Sequence, residues 1–165
     1  AQQNSYAAYT TSTSSKAPKL KNEIRFNIAT AIAGLPELNY EAFIADNVGL
    51  GMAVAVSLET SENMEIRSLF IPYARIYFSE KPNAGFFIEG NLGFAGQKGT
   101  KYDSFNGQST GVKSYFNGGF GAAVGWKFLT RNNYVGELYG GLGRLFGDNL
   151  IVVYPRVGIT LGKRF

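Results

Sequence analysis

The chain has 165 residues, of which 17% are charged and 15% are aromatic, and its formal net charge is +4. The length accommodates one domain, and a mean hydropathy of −0.07 without an apolar run of about 18 residues excludes a transmembrane helix. The Lys and Arg residues are scattered, which argues against nucleic-acid binding, and the absence of His and Cys removes the commonest general base and the usual transition-metal ligands.

Residues 1–21 carry Ser, Thr and Pro without apolar periodicity, so they are predicted to form a disordered or extended tail. The opening Ala1-Gln2-Gln3 lacks a Met, which indicates a processed, mature N-terminus. An alternative for this segment is a plug or a partner-binding element anchored by Tyr6 and Tyr9. The folded domain is predicted over residues 22–165.

From residue 23 onward, apolar residues alternate with small or polar ones, a period of two that is typical of strands. The first strand is predicted over 23–33, the second over 37–45 and the third over 48–58. The fourth, about 65–78, contains Pro72, which cannot donate to a ladder. A bulge or a register change is therefore expected at that residue.

The second half of the chain repeats this alternation. The fifth strand follows a turn at 81–85, and the longest connection, 97–111, is rich in Gly, Ser and Lys. Three further strands are predicted over 112–128, 134–146 and 150–165. Eight strands joined by hairpins predict an antiparallel up-and-down barrel in which the last strand pairs with the first.

Two barrels fit this alternation: a soluble, lipocalin-like ligand carrier with its apolar face inward, or a transmembrane barrel with that face outward. The second face is rich in Gly and Ala and poor in charge, unlike a soluble exterior. It suits the narrow, side-chain-filled lumen of an eight-stranded transmembrane barrel. In that barrel we expect a structural ion-pair network in the lumen, formed by Arg25, Glu41, Arg75, Glu89, Glu137 and Arg156.

The outward parity also carries aromatic residues near one end of the strands, where an interfacial girdle belongs. With both termini in the periplasm, the predicted periplasmic girdle comprises Phe26, Phe78, Phe86, Trp126, Phe128, Tyr134 and Phe165.

The final strand alternates regularly and ends in the aromatic Phe165. In this it resembles the small bacterial outer-membrane β-barrels of the OmpA and OmpX type, although Lys163 stands where that family frequently has an aromatic. The pattern Pro72-x-x-Arg75, loosely echoed by Tyr154-Pro155-Arg156, is similar to an element of Bacteroidota-type small barrels. The resemblance implies contact with outer-membrane lipid and lipopolysaccharide, and insertion by the barrel-assembly machinery with Phe165 as the assembly signal.

The chain resembles a fold that also includes small outer-membrane enzymes. Those enzymes rely on His, which this chain lacks. Carboxylates such as Glu41 and Glu89 share a face with arginines, so ion pairing is favoured over a glycosidase-like role. No catalytic, cofactor-binding or metal-binding residue is assigned. We expect a non-enzymatic outer-membrane barrel without an open pore, acting as a structural protein or as an accessory subunit of a larger complex. The alternatives are a surface interaction or adhesion module acting through 97–111, and the soluble carrier.

Overall fold

The computed structural model describes residues 22–58, 66–102, 109–146 and 153–165, and the side chains of these residues except 66, 97–102 and 109–115. The predicted tail, 1–21, lies outside the described residues. The elements are β1 (Asn22–Asn27), α1 (Ile28–Ile32), β2 (Glu37–Ala45), β3 (Val48–Val56), β4 (Ile66–Phe78), β5 (Gly85–Tyr102), β6 (Ser109–Leu129), β7 (Tyr134–Phe146) and β8 (Val153–Arg164). Among the described residues, no helix is long and apolar enough to cross a membrane.

Each strand pairs antiparallel with the next, and β8 pairs with β1, so the sheet closes into the predicted eight-stranded up-and-down barrel. Stepping from Glu23 on β1 to its partner on β2, and so on from strand to strand, leads to Tyr154 on β8. The β8–β1 register places Tyr154 level with position 33 instead of residue 23. This offset of ten residues is the shear of the barrel. A barrel of this kind has strands tilted by roughly 35–45° from its axis.

The first strand is shorter than the one predicted over 23–33. β1 ends at Asn27, and the next five residues form α1. The Asn27 side chain caps this helix, donates to the Val157 carbonyl at 3.1 Å and accepts from the Ile159 N–H at 3.2 Å. Because this amide bonds the β8 backbone in place of further β1 residues, the chain can leave the sheet at Asn27. It then forms a helix although three of the five residues in Ile28–Ile32 are β-branched.

The register change expected at Pro72 does not occur. The pairs Phe70↔Phe94 and Tyr73↔Asn91 keep one register between β4 and β5, but the pairing is interrupted between them. A residue without a backbone N–H can thus interrupt the pairing of two strands without shifting their register.

The predicted 97–111 connection is mostly a two-stranded ribbon. β4 last pairs with β5 at Gln97, whereas β5 and β6 continue to pair as far as Tyr102↔Ser109. The ribbon therefore extends beyond the described parts of β4 and β7. Within the predicted connection, the backbone of residues 103–108 lies outside the described residues.

The barrel has two distinct ends. At the proximal end, where β1 begins and β8 finishes, lie the turns 46–47, 79–84 and 130–133. The distal end carries α1, the connections 57–65 and 147–152, and the β5–β6 ribbon. The proximal connections have two to six residues, whereas 28–36 and 57–65 at the distal end have nine each and the β5–β6 ribbon extends beyond its paired neighbours.

A filled lumen and an apolar outer wall

Strand alternation directs ten charged side chains of the described residues into the lumen, each with an exposure of 4% or less. Five are acidic and five are basic, so their formal charges cancel: Glu23, Glu37, Glu41, Glu89, Glu137, Arg25, Arg75, Lys127, Arg156 and Arg164. The six residues predicted for the lumen network are all in this set. Sequence reasoning missed Glu23, Glu37, Lys127 and Arg164, although each has the inward parity of its strand. They lie near strand ends, where the sequence gives no sign that pairing continues.

Arg75 and Arg156 share one carboxylate at the centre of the lumen. Arg75 Nη2 lies 2.7 Å from Glu89 Oε2, and Arg156 Nε lies 2.9 Å from Glu89 Oε1. Arg75 also pairs with Glu137 at 2.9 Å, and Arg156 pairs with Glu37 at 3.0 Å. Arg75 contacts a third carboxylate as well, that of Glu41, at 3.2 Å. Arg75 therefore bridges three carboxylates and Arg156 bridges two, an arrangement that the rigid fork of guanidinium donors permits.

Three carboxylates nearer the proximal end surround an ammonium group. Oxygens of Glu23, Glu41 and Glu137 lie within 4.8 Å of one another, a spacing that would suit a metal ion. The Nζ atom of Lys127 lies 2.9 Å from Glu23, 3.0 Å from Glu41 and 3.6 Å from Glu137. Arg25 adds a second cation, 2.8 Å from Glu41 and in contact with Glu23. The cluster thus already holds cations of its own chain.

Inward tyrosines complete the network with neutral hydroxyl groups that donate and accept hydrogen bonds. The Tyr77 hydroxyl donates to Glu41 at 2.5 Å, and the Tyr139 hydroxyl donates to Glu37 at 2.9 Å. The Tyr73 hydroxyl accepts from Arg25 Nη2 at 2.7 Å. Buried ions are tolerated better when their remaining hydrogen-bonding capacity is used, and these tyrosines use part of it.

A turn covers the lumen at the proximal end, and apolar side chains fill its distal part. At the proximal end, Arg164 donates to the carbonyls of Pro82 (3.1 Å) and Asn83 (2.7 Å), and the Asn83 side chain donates to the Ala45 carbonyl at 2.9 Å. These bonds hold the 79–84 turn across the mouth. Towards the distal end the inward side chains become apolar, and Leu35 packs against them: Ala53, Ala55, Leu69, Ile71, Tyr73, Ala95, Leu145 and Tyr154.

The outer wall is apolar, whereas the lumen is charged. Its middle is formed by aliphatic side chains that are 44–65% exposed: Ile24, Leu38, Leu50, Met52, Val54, Ile76, Ile88, Leu92, Val124, Leu138, Leu142, Val157, Ile159 and Leu161. An apolar surface that continues around a whole barrel far exceeds the few hundred Å² that soluble monomers usually expose.

A row of aromatic rings, the proximal belt, borders this wall at the proximal end. Phe78 and Phe86 have ring centroids 6.0 Å apart, Phe86 and Trp126 6.5 Å, and Trp126 and Phe128 6.4 Å. Tyr134 and Phe165 lie at the same end. The structure does not place Phe26 with them: because β1 has only six residues, Phe26 lies one residue from its distal end, among the aliphatic side chains.

A second row, the distal belt, was not anticipated from the sequence, although all its members have outward parity. Phe70, Phe94 and Phe116 stack in sequence with centroids 6.2 and 6.0 Å apart, and Phe120 contacts Phe146 at 5.3 Å.

The two belts are separated by nearly the height of the apolar band of outer-membrane barrels. Phe70 and Phe78, Phe86 and Phe94, and Phe120 and Phe128 are each eight residues apart on one strand. Eight residues extend about 27 Å along a strand, or about 20 Å along the axis of a tilted barrel. That distance is close to the apolar band of about 25 Å in outer-membrane barrels.

Neither a protein-family model nor a curated protein sequence matches this chain. Among solved structures, it is similar to the N-terminal β-barrel domain of Pseudomonas aeruginosa OprF, with a TM-score of 0.53 and 19% sequence identity. The alignment covers 88% of this chain and 97% of the OprF domain. At this level of identity the likeness shows a shared barrel fold.

Proposed function

We propose that this chain is a non-enzymatic integral protein of the bacterial outer membrane, acting as a structural protein or as an accessory subunit of a larger complex. The observation that carries the proposal is the reversed polarity of the barrel. Ten charged residues are buried in the lumen, while aliphatic side chains between two aromatic belts face outward. In a bilayer the aliphatic wall contacts hydrocarbon and the belts lie at the interfaces.

A soluble carrier is disfavoured by the same observation. Such a barrel encloses its ligand in an apolar interior and presents charge to water. Here the centre of the lumen is occupied by ion pairs such as Arg75–Glu89, and the aliphatic side chains are outside.

The absence of enzymatic activity is supported by how the lumen carboxylates are used. Glu41, Glu89 and Glu137 are at most 3% exposed and are paired with cations, so a substrate would have to displace those cations to reach them. A general acid or base must instead come within hydrogen-bonding distance of its substrate.

We place both ends of the barrel sequence in the periplasm, because short turns are typical of the periplasmic side and longer loops of the outer side. The distal belt then faces the outer leaflet, where lipopolysaccharide is the expected lipid partner. Arg144 lies there over the Phe146 ring, 5.8 Å from its centroid. Phe165 would serve as the signal for the barrel-assembly machinery, and the Pro72-x-x-Arg75 element supports the narrower likeness to Bacteroidota-type barrels.

A second candidate function is a surface interaction module. The observation that favours it is the β5–β6 ribbon, which extends past the last β4 pair and carries Lys98, Lys101 and Lys113. Deleting 98–113 while keeping the barrel would abolish surface binding if this candidate is right and would leave a purely structural role intact.

Cell fractionation tests the main proposal. The protein should be recovered in the outer membrane, require detergent for extraction and change electrophoretic mobility when heated. Recovery in a soluble fraction would contradict the proposal. Purification from native membranes in mild detergent then separates the two roles, because an accessory subunit co-purifies with its complex.

A further inference from the structure

The interruption between β4 and β5 has a local chemical cause. Alternate residues of a strand direct their N–H groups to the same neighbour. Tyr77 donates its N–H to the Asn47 carbonyl, on the β3 side, so the nitrogen of Pro72, five residues earlier, is directed towards β5. Proline has no hydrogen to donate there, and the ladder is not paired between Phe70 and Tyr73.

A cleft of about 340 Å³ opens on the outer wall at this break. Its outward-facing walls are Leu50, Pro72, Ala74, Gly90 and Leu92, and no charged side chain lines it. A Cβ built on Gly90 would meet no atom within 4 Å, so the cleft is open where that side chain would lie. The depression therefore has two causes: the missing backbone pairing between β4 and β5, and the small side chains of Ala74 and Gly90 on these strands.

The depth of the cleft is fixed by the two belts. Gly90 is four residues from Phe86 in the proximal belt and four residues from Phe94 in the distal belt. It thus lies midway across the aliphatic band, where the surrounding solvent would be hydrocarbon.

We propose that this cleft binds one hydrocarbon chain of a membrane lipid and retains it more firmly than the rest of the wall. The inference rests on the proposed location in a membrane. An unfilled apolar depression loses dispersion contacts on its lining atoms, and a lipid chain can restore them. The bilayer supplies such chains at this depth, whereas a charged ligand would find no charged side chain in the lining.

Photolabelling tests the site directly. The purified chain is inserted into phosphatidylcholine vesicles containing a small fraction of phosphatidylcholine with a diazirine at the middle of one acyl chain. Irradiation, proteolysis and mass spectrometry then locate the label. In the wild-type protein it should be concentrated on the β4 and β5 residues that line the cleft.

Two variants close the cleft in different ways, and one controls for added bulk. Gly90→Leu fills the cleft with a side chain, and Pro72→Val restores the missing donor, so each should lower labelling at the cleft several-fold. Gly140→Leu is the matched control: Gly140 also has no atom within 4 Å of a built Cβ, and it lies midway along β7, six residues from Tyr134 and six from Phe146. Its labelling should equal that of the wild type.

Label spread evenly around the wild-type barrel, or an equal effect of Gly90→Leu and Gly140→Leu, would overturn the lipid site alone. The lipid site would also be overturned if Gly90→Leu released a co-purifying polypeptide while leaving the labelling unchanged. A protein that does not enter vesicles at all would overturn both the site and the proposed membrane location.

Discussion

Glu89→Gln is the substitution that most directly tests the lumen network. The Glu89 carboxylate is fully buried, with one oxygen 2.7 Å from Arg75 and the other 2.9 Å from Arg156. The change preserves the shape of the side chain and removes its charge. The described lumen then holds four acidic and five basic side chains instead of five of each.

Removing one partner of a buried ion pair costs about 3–5 kcal/mol. Here we expect a loss near the lower value, about 3 kcal/mol, because each guanidinium keeps a second carboxylate. Arg75 retains Glu137 at 2.9 Å and Glu41 at 3.2 Å, and Arg156 retains Glu37 at 3.0 Å. Glu80→Gln, in the exposed proximal turn, is the matched control and should change stability by less than about 0.5 kcal/mol.

Equilibrium unfolding in urea, with the protein in lipid vesicles, measures the difference. Trp126 is the only tryptophan and lies on the outer wall, so its fluorescence reports on loss of the lipid-facing surface. If Glu89→Gln cost less than about 1 kcal/mol, the carboxylate would be solvated and the lumen would contain water rather than a closed network.

Val54→Arg, at an outward position that is 45% exposed, should cost about 2–4 kcal/mol in the same assay, and a neutral effect would show that Val54 faces water. Deleting Phe165 removes a proximal aromatic and the backbone pair between Phe165 and Asn22, so assembly in cells should fall; normal amounts of folded protein in the outer membrane would show that the residue is dispensable. The pure protein should not conduct in planar bilayers, since ion pairs fill the lumen and the 79–84 turn lies across its proximal mouth; reproducible single-channel steps would refute the closed lumen.

The alternation of residue types was sufficient to predict the number of strands and their order. It also predicted the faces of the strand residues, apart from residues 28–33 and the part of β4 before Pro72. Strand parity is a local property, and hairpin connections between successive strands leave few alternatives for their order. The inward positions of Arg25, Glu41 and Arg75 follow from parity in this way. So do the outward positions of the proximal aromatic residues.

Only the tertiary structure decided which of these side chains meet. Lys127 reaches Glu23 and Glu41 because the closed barrel and its shear bring β6 opposite β1 and β2 across the lumen, and no local pattern encodes that distance. The end of β1 was likewise decided by a long-range contact, because the Asn27 side chain forms hydrogen bonds with the β8 backbone where a longer β1 would have paired. Pro72 indicated that strand pairing would be disturbed near that residue. Whether the disturbance would shift the register or open a cleft depended on the neighbouring residues in β5, where Gly90 leaves the space unfilled.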